Sequence, residues 1–157
     1  MRVGIGYDIH RAKKGRALVL GGVTFKTKWG LDGHSDADVL CHAIGDALLG
    51  SLALGDLGTH FPPNDKQWKD ASSLDLLRVI RALLRDAGAS VVNVDATVVA
   101  EAPKLAPKRD AMRSNIAQAL WMEPAQVSIK ATTNETLDAV GEERGIAAWA
   151  VAMVELA

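Results

Sequence analysis

The chain has 157 residues, 48% of them hydrophobic, with a formal net charge of -1 and only four Trp, two Phe and one Tyr. That balance, with no long basic run, excludes a surface built to neutralise phosphates and stack bases, and no segment approaches the ~18 apolar residues of a membrane span. What remains is a soluble chain read as one domain over residues 1–157, whose lone Cys41 suits a reducing, cytoplasmic setting and whose partners are small molecules or copies of itself.

From Arg2 to His10 the residues alternate strictly, which predicts a strand with Val3, Ile5, Tyr7 and Ile9 on one face and Gly4, Gly6, Asp8 and His10 on the other. Asp8 and His10 therefore share a face, where the glycines either weaken the strand or let something approach its backbone. A basic turn over Arg11 to Arg16 leads to a second strand at Ala17 to Leu20, broken at Gly21-Gly22 and resumed at Val23 to Phe25. Trp29 to Gly33 then feeds the stretch Gly33 to His42. Ser35 or Asp36 is placed to cap a helix there, and Leu40, Ala43, Ile44, Ala47 and Leu48 recur at helical spacing. On its polar side Asp38, His42 and Asp46 stand four apart, which stacks one imidazole between two carboxylates. Metal-binding histidines are held in this way, although a solvated face carrying a single histidine reads the same.

Gly55 to Asp65 is too rich in turn formers to be regular. A second amphipathic helix starts near Ser72, with Asp75 completing a capping box; it buries Leu76, Leu77, Ile80, Leu83 and Leu84, leaves Arg78, Arg81 and Arg85 in water, and stops at Gly88. Val91 to Ala100 is a third strand, Pro107 opens a helix running to about Leu120, and Val127 to Ala131 is a fourth strand. The turn-rich Thr132 to Gly145 leads to a last strand, Ile146 to Leu156, apolar on both faces, which either lies wholly inside its own domain or is covered on one side by another subunit. The order implies an α+β two-layer sandwich, a mixed four- to five-stranded sheet with helices on one face.

Asp8 and His10 on the strand and His42 on the helix supply one carboxylate and two imidazoles, a set that suits zinc with its fourth position left for water or substrate. Gly6 to His10 and Gly33 to His42 occur together. Further along come Asp56-Leu57-Gly58, Phe61-Pro62-Pro63-Asn64-Asp65, Ala102-Pro103-Lys104-Leu105-Ala106-Pro107 and Lys130-Ala131-Thr132-Thr133-Asn134-Glu135. In these motifs, over essentially its whole length, the chain resembles the 2-C-methyl-D-erythritol 2,4-cyclodiphosphate synthases of the non-mevalonate isoprenoid pathway.

The resemblance implies a ferredoxin-like outline and a homotrimer with active sites between subunits, which would cover the last strand. It implies a lyase that cyclises 4-diphosphocytidyl-2-C-methyl-D-erythritol 2-phosphate and releases CMP. Zinc on Asp8, His10 and His42 and Mg²⁺ or Mn²⁺ on Glu135 are its implied metals. His34 and Ser35 would contact the methylerythritol and its 2-phosphate, and His34 with Thr133 would stabilise the transition state. Asp56, Leu57 and Gly58, with Phe61, Pro62, Pro63, Asn64 and Asp65, would form the sugar-side wall. Cytosine would lie in the loop of Ala100, Glu101, Ala102, Pro103, Lys104, Leu105 and Ala106, with Lys104, Thr132 and Thr133 nearer ribose and phosphates and Asn134 and Glu135 also binding substrate. One segment departs from the family pattern: Glu142 stands where an arginine usually faces the trimer's central cavity, so weak or absent binding of an isoprenoid diphosphate there is expected. Two other functions remain beside the synthase, a zinc-dependent phosphohydrolase and a non-catalytic nucleotide- or metal-binding module.

Overall fold

In the computed structural model, which describes residues Met1–Ala157, the alternating N-terminal segment forms β1 (Arg2–Lys14). It continues through the basic residues expected to turn, because β4 (Trp29–Leu31) pairs with Ala12 to Lys14 and supplies their backbone partners. Between them, β2 (Leu18–Leu20) and β3 (Val23–Phe25) form a separate hairpin rather than one interrupted strand. Gly21 and Gly22 both have positive φ, 56° and 69°, as a two-residue hairpin turn requires.

Three long helices follow the predicted periodicities: α1 (Val39–Ser51), α3 (Ser73–Asp86) and α4 (Arg109–Leu120). Two short ones, α2 (Leu57–His60) and α5 (Asp138–Gly141), lie in segments expected to be irregular. The capping box at Ser72 does not form, since the Ser72 side chain makes no cap bond and Asp75 pairs with Arg78. Arg81 is half-buried, with its guanidinium 4.3 Å above the Trp121 ring.

With β5 (Ala89–Val99), β6 (Val127–Thr132) and β7 (Gly145–Leu156), the main sheet has the order β4-β1-β7-β5-β6. It is mixed: β5 and β6 are parallel and the other pairs antiparallel. β1, β5 and β6 therefore run the same way, and their C-terminal ends meet the start of β7 along one edge.

Helix α1 crosses β1 and β7, α3 packs beside it, and α4 closes the layer over β6. The glycine face of β1 is the buried one. A Cβ at Gly4 would lie 2.0 Å from the Ala47 carbonyl oxygen and one at Gly6 1.9 Å from that of Ala43, so strand and helix touch backbone to backbone. Alanines 148, 150 and 152 of β7 are buried under the same helix layer, and a cluster of 34 buried residues forms the main core. The opposite face exposes Val3, Ile5, Tyr7, Ile9, Trp149 and Val151, with Ile5 66% accessible, and the Tyr7 and Trp149 rings pack with centroids 4.4 Å apart and planes tilted by 42°. No helix is long and apolar enough to cross a membrane.

Candidate active site

Asp8 and His10 are two residues apart on the glycine face of β1, so both side chains point toward α1. His42 lies in the first turn of α1. The cap of that helix is neither Ser35 nor Asp36 but Asp38, whose Oδ1 accepts from the Cys41 N–H at 3.1 Å. Asp38 is therefore fully buried instead of flanking His42, and its Oδ2 accepts from Gly22 N at 2.8 Å, tying the β2–β3 hairpin to the helix. Burial, reinforced by the charge of Asp36, pushes its carboxyl above the usual range. Asp46, one turn past His42, accepts from Leu57 N at 2.8 Å and anchors the start of α2; burial raises its pKa too.

The close approach at Gly6 brings three metal-binding atoms together. Asp8 Oδ2 is 2.8 Å from His10 Nε2 and 3.0 Å from His42 Nδ1, and the two ring nitrogens are 3.1 Å apart. Burial opposes ionisation of Asp8, yet hydrogen bonds and charge from the two histidines outweigh it and hold the carboxyl well below the usual carboxylate range. Burial likewise disfavours a charged His10, and its hydrogen bond to and charge attraction for Asp8 raise its pKa on balance. On the far side of the ring, His10 Nδ1 meets the Asp32 carbonyl oxygen, which can only accept, so in the neutral ring that a metal requires the lone pair of Nε2 faces the cluster. One carboxylate oxygen and two imidazole nitrogens converging in this way fit a divalent metal ion.

The loop before α1 closes over this cluster. Ser35 Oγ lies 3.1 Å from His42 Nε2, and His34 Nε2 donates to the Asp65 carbonyl at 3.2 Å, which draws the Phe61 to Asp65 segment in. Phe61 is buried edge-on against Trp68, 4.9 Å between ring centroids, while Pro63 and Asn64 are exposed. Asp56 caps α2, accepting from Thr59 N at 2.9 Å, so Leu57 and Gly58 form its first turn. Sequence reasoning missed Arg16, which donates to the carbonyls of Gly33 and Ser35, both at 2.8 Å, and so clamps the loop on either side of His34. It also missed Ser73, whose Oγ is 3.0 Å from His42 Nε2.

The remaining candidates form a second group. Thr133 Oγ1 donates to Glu135 Oε1 at 3.0 Å, and Asn134 N donates to Glu101 Oε1 at 2.8 Å, joining the loop after β6 to the Ala100 to Ala106 loop after β5. Leu105 is buried beneath that loop, with Lys104 exposed. Within one chain this group does not meet the metal cluster, since β7 and β5 intervene between β1 and β6. Three strand spacings amount to about 14 Å. A concavity of about 680 Å³ lies between the second half of β1 and the Ala139 to Gly145 segment, and touches the cluster only through His10.

A family model described as YgbB matches residues 1–155. The chain belongs to the YgbB family. It is 58% identical to the 2-C-methyl-D-erythritol 2,4-cyclodiphosphate synthase of Synechococcus elongatus, over 98% of this chain and 96% of that one. Among solved structures it resembles the bifunctional IspDF from Campylobacter jejuni, with a TM-score of 0.95 and 37% identity, spanning 99% of this chain but 42% of that longer one. It also resembles the IspF of Plasmodium falciparum in a CDP complex, with a TM-score of 0.86 and 35% identity over 99% of this chain and 96% of that one. In this YgbB chain the segment that departs from the expected pattern carries its own ion pair, Arg144 Nε to Glu142 Oε2 at 2.7 Å.

Proposed function

We propose that this YgbB-family enzyme converts 4-diphosphocytidyl-2-C-methyl-D-erythritol 2-phosphate to 2-C-methyl-D-erythritol 2,4-cyclodiphosphate in the cytoplasm, as a single catalytic domain. An oxygen of the 2-phosphate attacks the β-phosphorus, the bond from that phosphorus to the α-phosphate oxygen breaks, and CMP leaves with the electron pair. The substrate brings its own nucleophile, so the protein's work is to fold it back on itself and to stabilise charge on the transferring group. The Asp8, His10 and His42 cluster carries this reading. Zinc held there, and Mg²⁺ or Mn²⁺ held by Glu135, would supply positive charge that stabilises the transferring phosphoryl group. His34 and Ser35, in the loop clamped by Arg16, orient the methylerythritol end, and Thr133, its hydroxyl released from Glu135 when that carboxylate takes the metal, stabilises the transition state together with His34.

The CDP complex of the Plasmodium falciparum relative supports a cytidine nucleotide as ligand, and the family resemblance assigns its base to the Ala100 to Ala106 loop. Because β7 and β5 separate the strand bearing Asp8 and His10 from the strand leading to Thr133 and Glu135, the working site is completed between copies, as a homotrimer. The exposed apolar face of β1 and β7 supports that assembly. Incubating the protein with the cytidyl substrate and Mg²⁺ and following products by phosphorus NMR tests the proposal. A cyclic diphosphate with CMP is expected; inorganic phosphate or a linear product would make the protein a phosphohydrolase, and unchanged substrate a binding module.

A further inference from the structure

We propose that Ser73 and Asp36 are positioning residues that dictate which nitrogen of His42 carries the proton, and so keep its Nδ1 lone pair aimed at the cluster. The inference rests on the reading that Asp8, His10 and His42 hold a metal. Ser73 opens α3 and is 1% exposed, yet its hydroxyl does not cap that helix. Instead it lies between two partners from elsewhere in the chain, Asp36 and His42.

The direction of each hydrogen bond follows from what the end group can do. Asp36 is a carboxylate and only accepts. Its Oδ2 takes the Ser73 N–H at 2.9 Å, and its Oδ1 takes the Asp38 N–H at 3.1 Å together with the Ser73 hydroxyl proton. A serine hydroxyl has one proton, so once it is given to Asp36 the oxygen can only accept from His42 Nε2, 3.0 Å away. Nε2 of His42 therefore keeps its proton, and in the metal-loaded site it is Nδ1, 3.0 Å from Asp8 Oδ2, that gives up any proton shared with that carboxylate and presents its lone pair. Ser35 cannot do this alone. Its Oγ accepts from Ala37 N at 3.2 Å but retains a free proton, so it can face His42 Nε2 as donor or as acceptor. His10 is fixed on its own side by the Asp32 carbonyl, and the Asp36–Ser73 pair gives His42 the corresponding restraint through side chains.

Two measurements on the full chain test this. Long-range nitrogen–proton NMR of the zinc-loaded protein should show the proton on His42 Nε2 and the metal on Nδ1; ligation through Nε2 would overturn the proposal without any mutation. Zinc transfer to a chromophoric chelator should show Ser73→Ala holding the metal roughly tenfold to a hundredfold more weakly, the usual cost of removing a group that orients a ligand. Asp36→Ala added to Ser73→Ala should cost little more, because the two act in series. If Ser73 merely filled space, thermal stability would fall and zinc transfer would match the unaltered chain, which would refute the proposal. Absence of zinc from the unaltered protein would instead overturn the metal-site reading, and this inference with it.

Discussion

Gly6→Ala is expected to damage stability and metal binding together, through one contact. The added Cβ would lie 1.9 Å from the Ala43 carbonyl oxygen and 2.7 Å from Ala47 N, both backbone atoms of α1 that no rotamer change can move. Ordinary contact begins at 3.4 Å, so helix and strand must separate by about 1.5 Å along that line. Overpacking of this kind costs about 1–3 kcal/mol, and the upper end applies because neither partner is a flexible side chain. At ~2–4 °C per kcal/mol for a chain of this size, melting should fall by roughly 6–12 °C. The same displacement carries His42 away from Asp8, whereas metal–ligand distances tolerate only about 0.2 Å, so zinc affinity should drop by more than the stability loss alone explains. Gly50→Ala is the control: it is exposed on the same helix, and the only atom its Cβ would meet is the Ile5 carbonyl oxygen at 3.9 Å. Calorimetric unfolding and chelator competition on both variants decide the matter. Gly6→Ala with unchanged melting and unchanged zinc retention would refute the claim that backbone contact at this glycine sets the ligand geometry.

His42→Ala should lose most of its zinc and its turnover, while Glu135→Gln should keep the zinc and need more Mg²⁺ for half-maximal rate; metal analysis beside Mg²⁺ titration separates them, and identical behaviour would contradict the two-group picture. In the metal-free protein, Asp8 is depressed and His10 raised, so the first contributes stability above about pH 4, lost only as pH falls through its folded value, and the second contributes fully below about pH 6.5, lost as pH rises through its folded value. Asp8→Asn should therefore lower melting more at pH 5.5 than at pH 9, and a penalty that grew toward pH 9 would reverse the assignment. Titration calorimetry with farnesyl diphosphate should show weak or absent binding, because Glu142 repels a diphosphate and ties up Arg144; micromolar binding abolished by Arg144→Ala would show that the arginine, not the glutamate, faces the ligand.

Periodicity made the long elements legible, and α1, α3, α4 and the longer strands lie close to where the apolar spacing put them. Alternation in β1 divided its residues between two faces but carried no sign of which was inside. Hydrophobicity alone would bury Val3 and Ile5, whereas the structure buries Gly4 and Gly6 because α1 needs their empty space. Strand β4 has three residues, too short to show a period. Gly21-Gly22 signals a broken strand and a tight hairpin equally well. Asp38 was misplaced because Ser35, Asp36 and Asp38 all suit a cap, and only the observed Cys41 N–H bond separates them. Within the candidate site, Asp8, His10 and His42 were legible because metal ligands have few alternatives in residue type. Arg16 acts on backbone carbonyls and Ser73 on a ring encoded thirty-one residues earlier, and neither relation leaves a local pattern.

The pairing of β1 with β7 carries a kinetic consequence. Arg2 is registered against Val154 and Arg11 against Gly145, so one side of the strand bearing Asp8 and His10 has no ladder until nearly the last residues described have been made. Loop closure over such a span is entropically costly, and topologies dominated by distant pairings fold slowly. On the ribosome, α1 can press on β1 early, but the sheet cannot close around them while β7 is still unsynthesised. The metal-binding trio is therefore among the first groups to emerge and among the last to be rigidly held. A ribosome-stalled chain ending before Gly145 should exchange the β1 amides between Arg2 and Arg11 that bond to β7 freely, and release of the remainder should be the event that protects them.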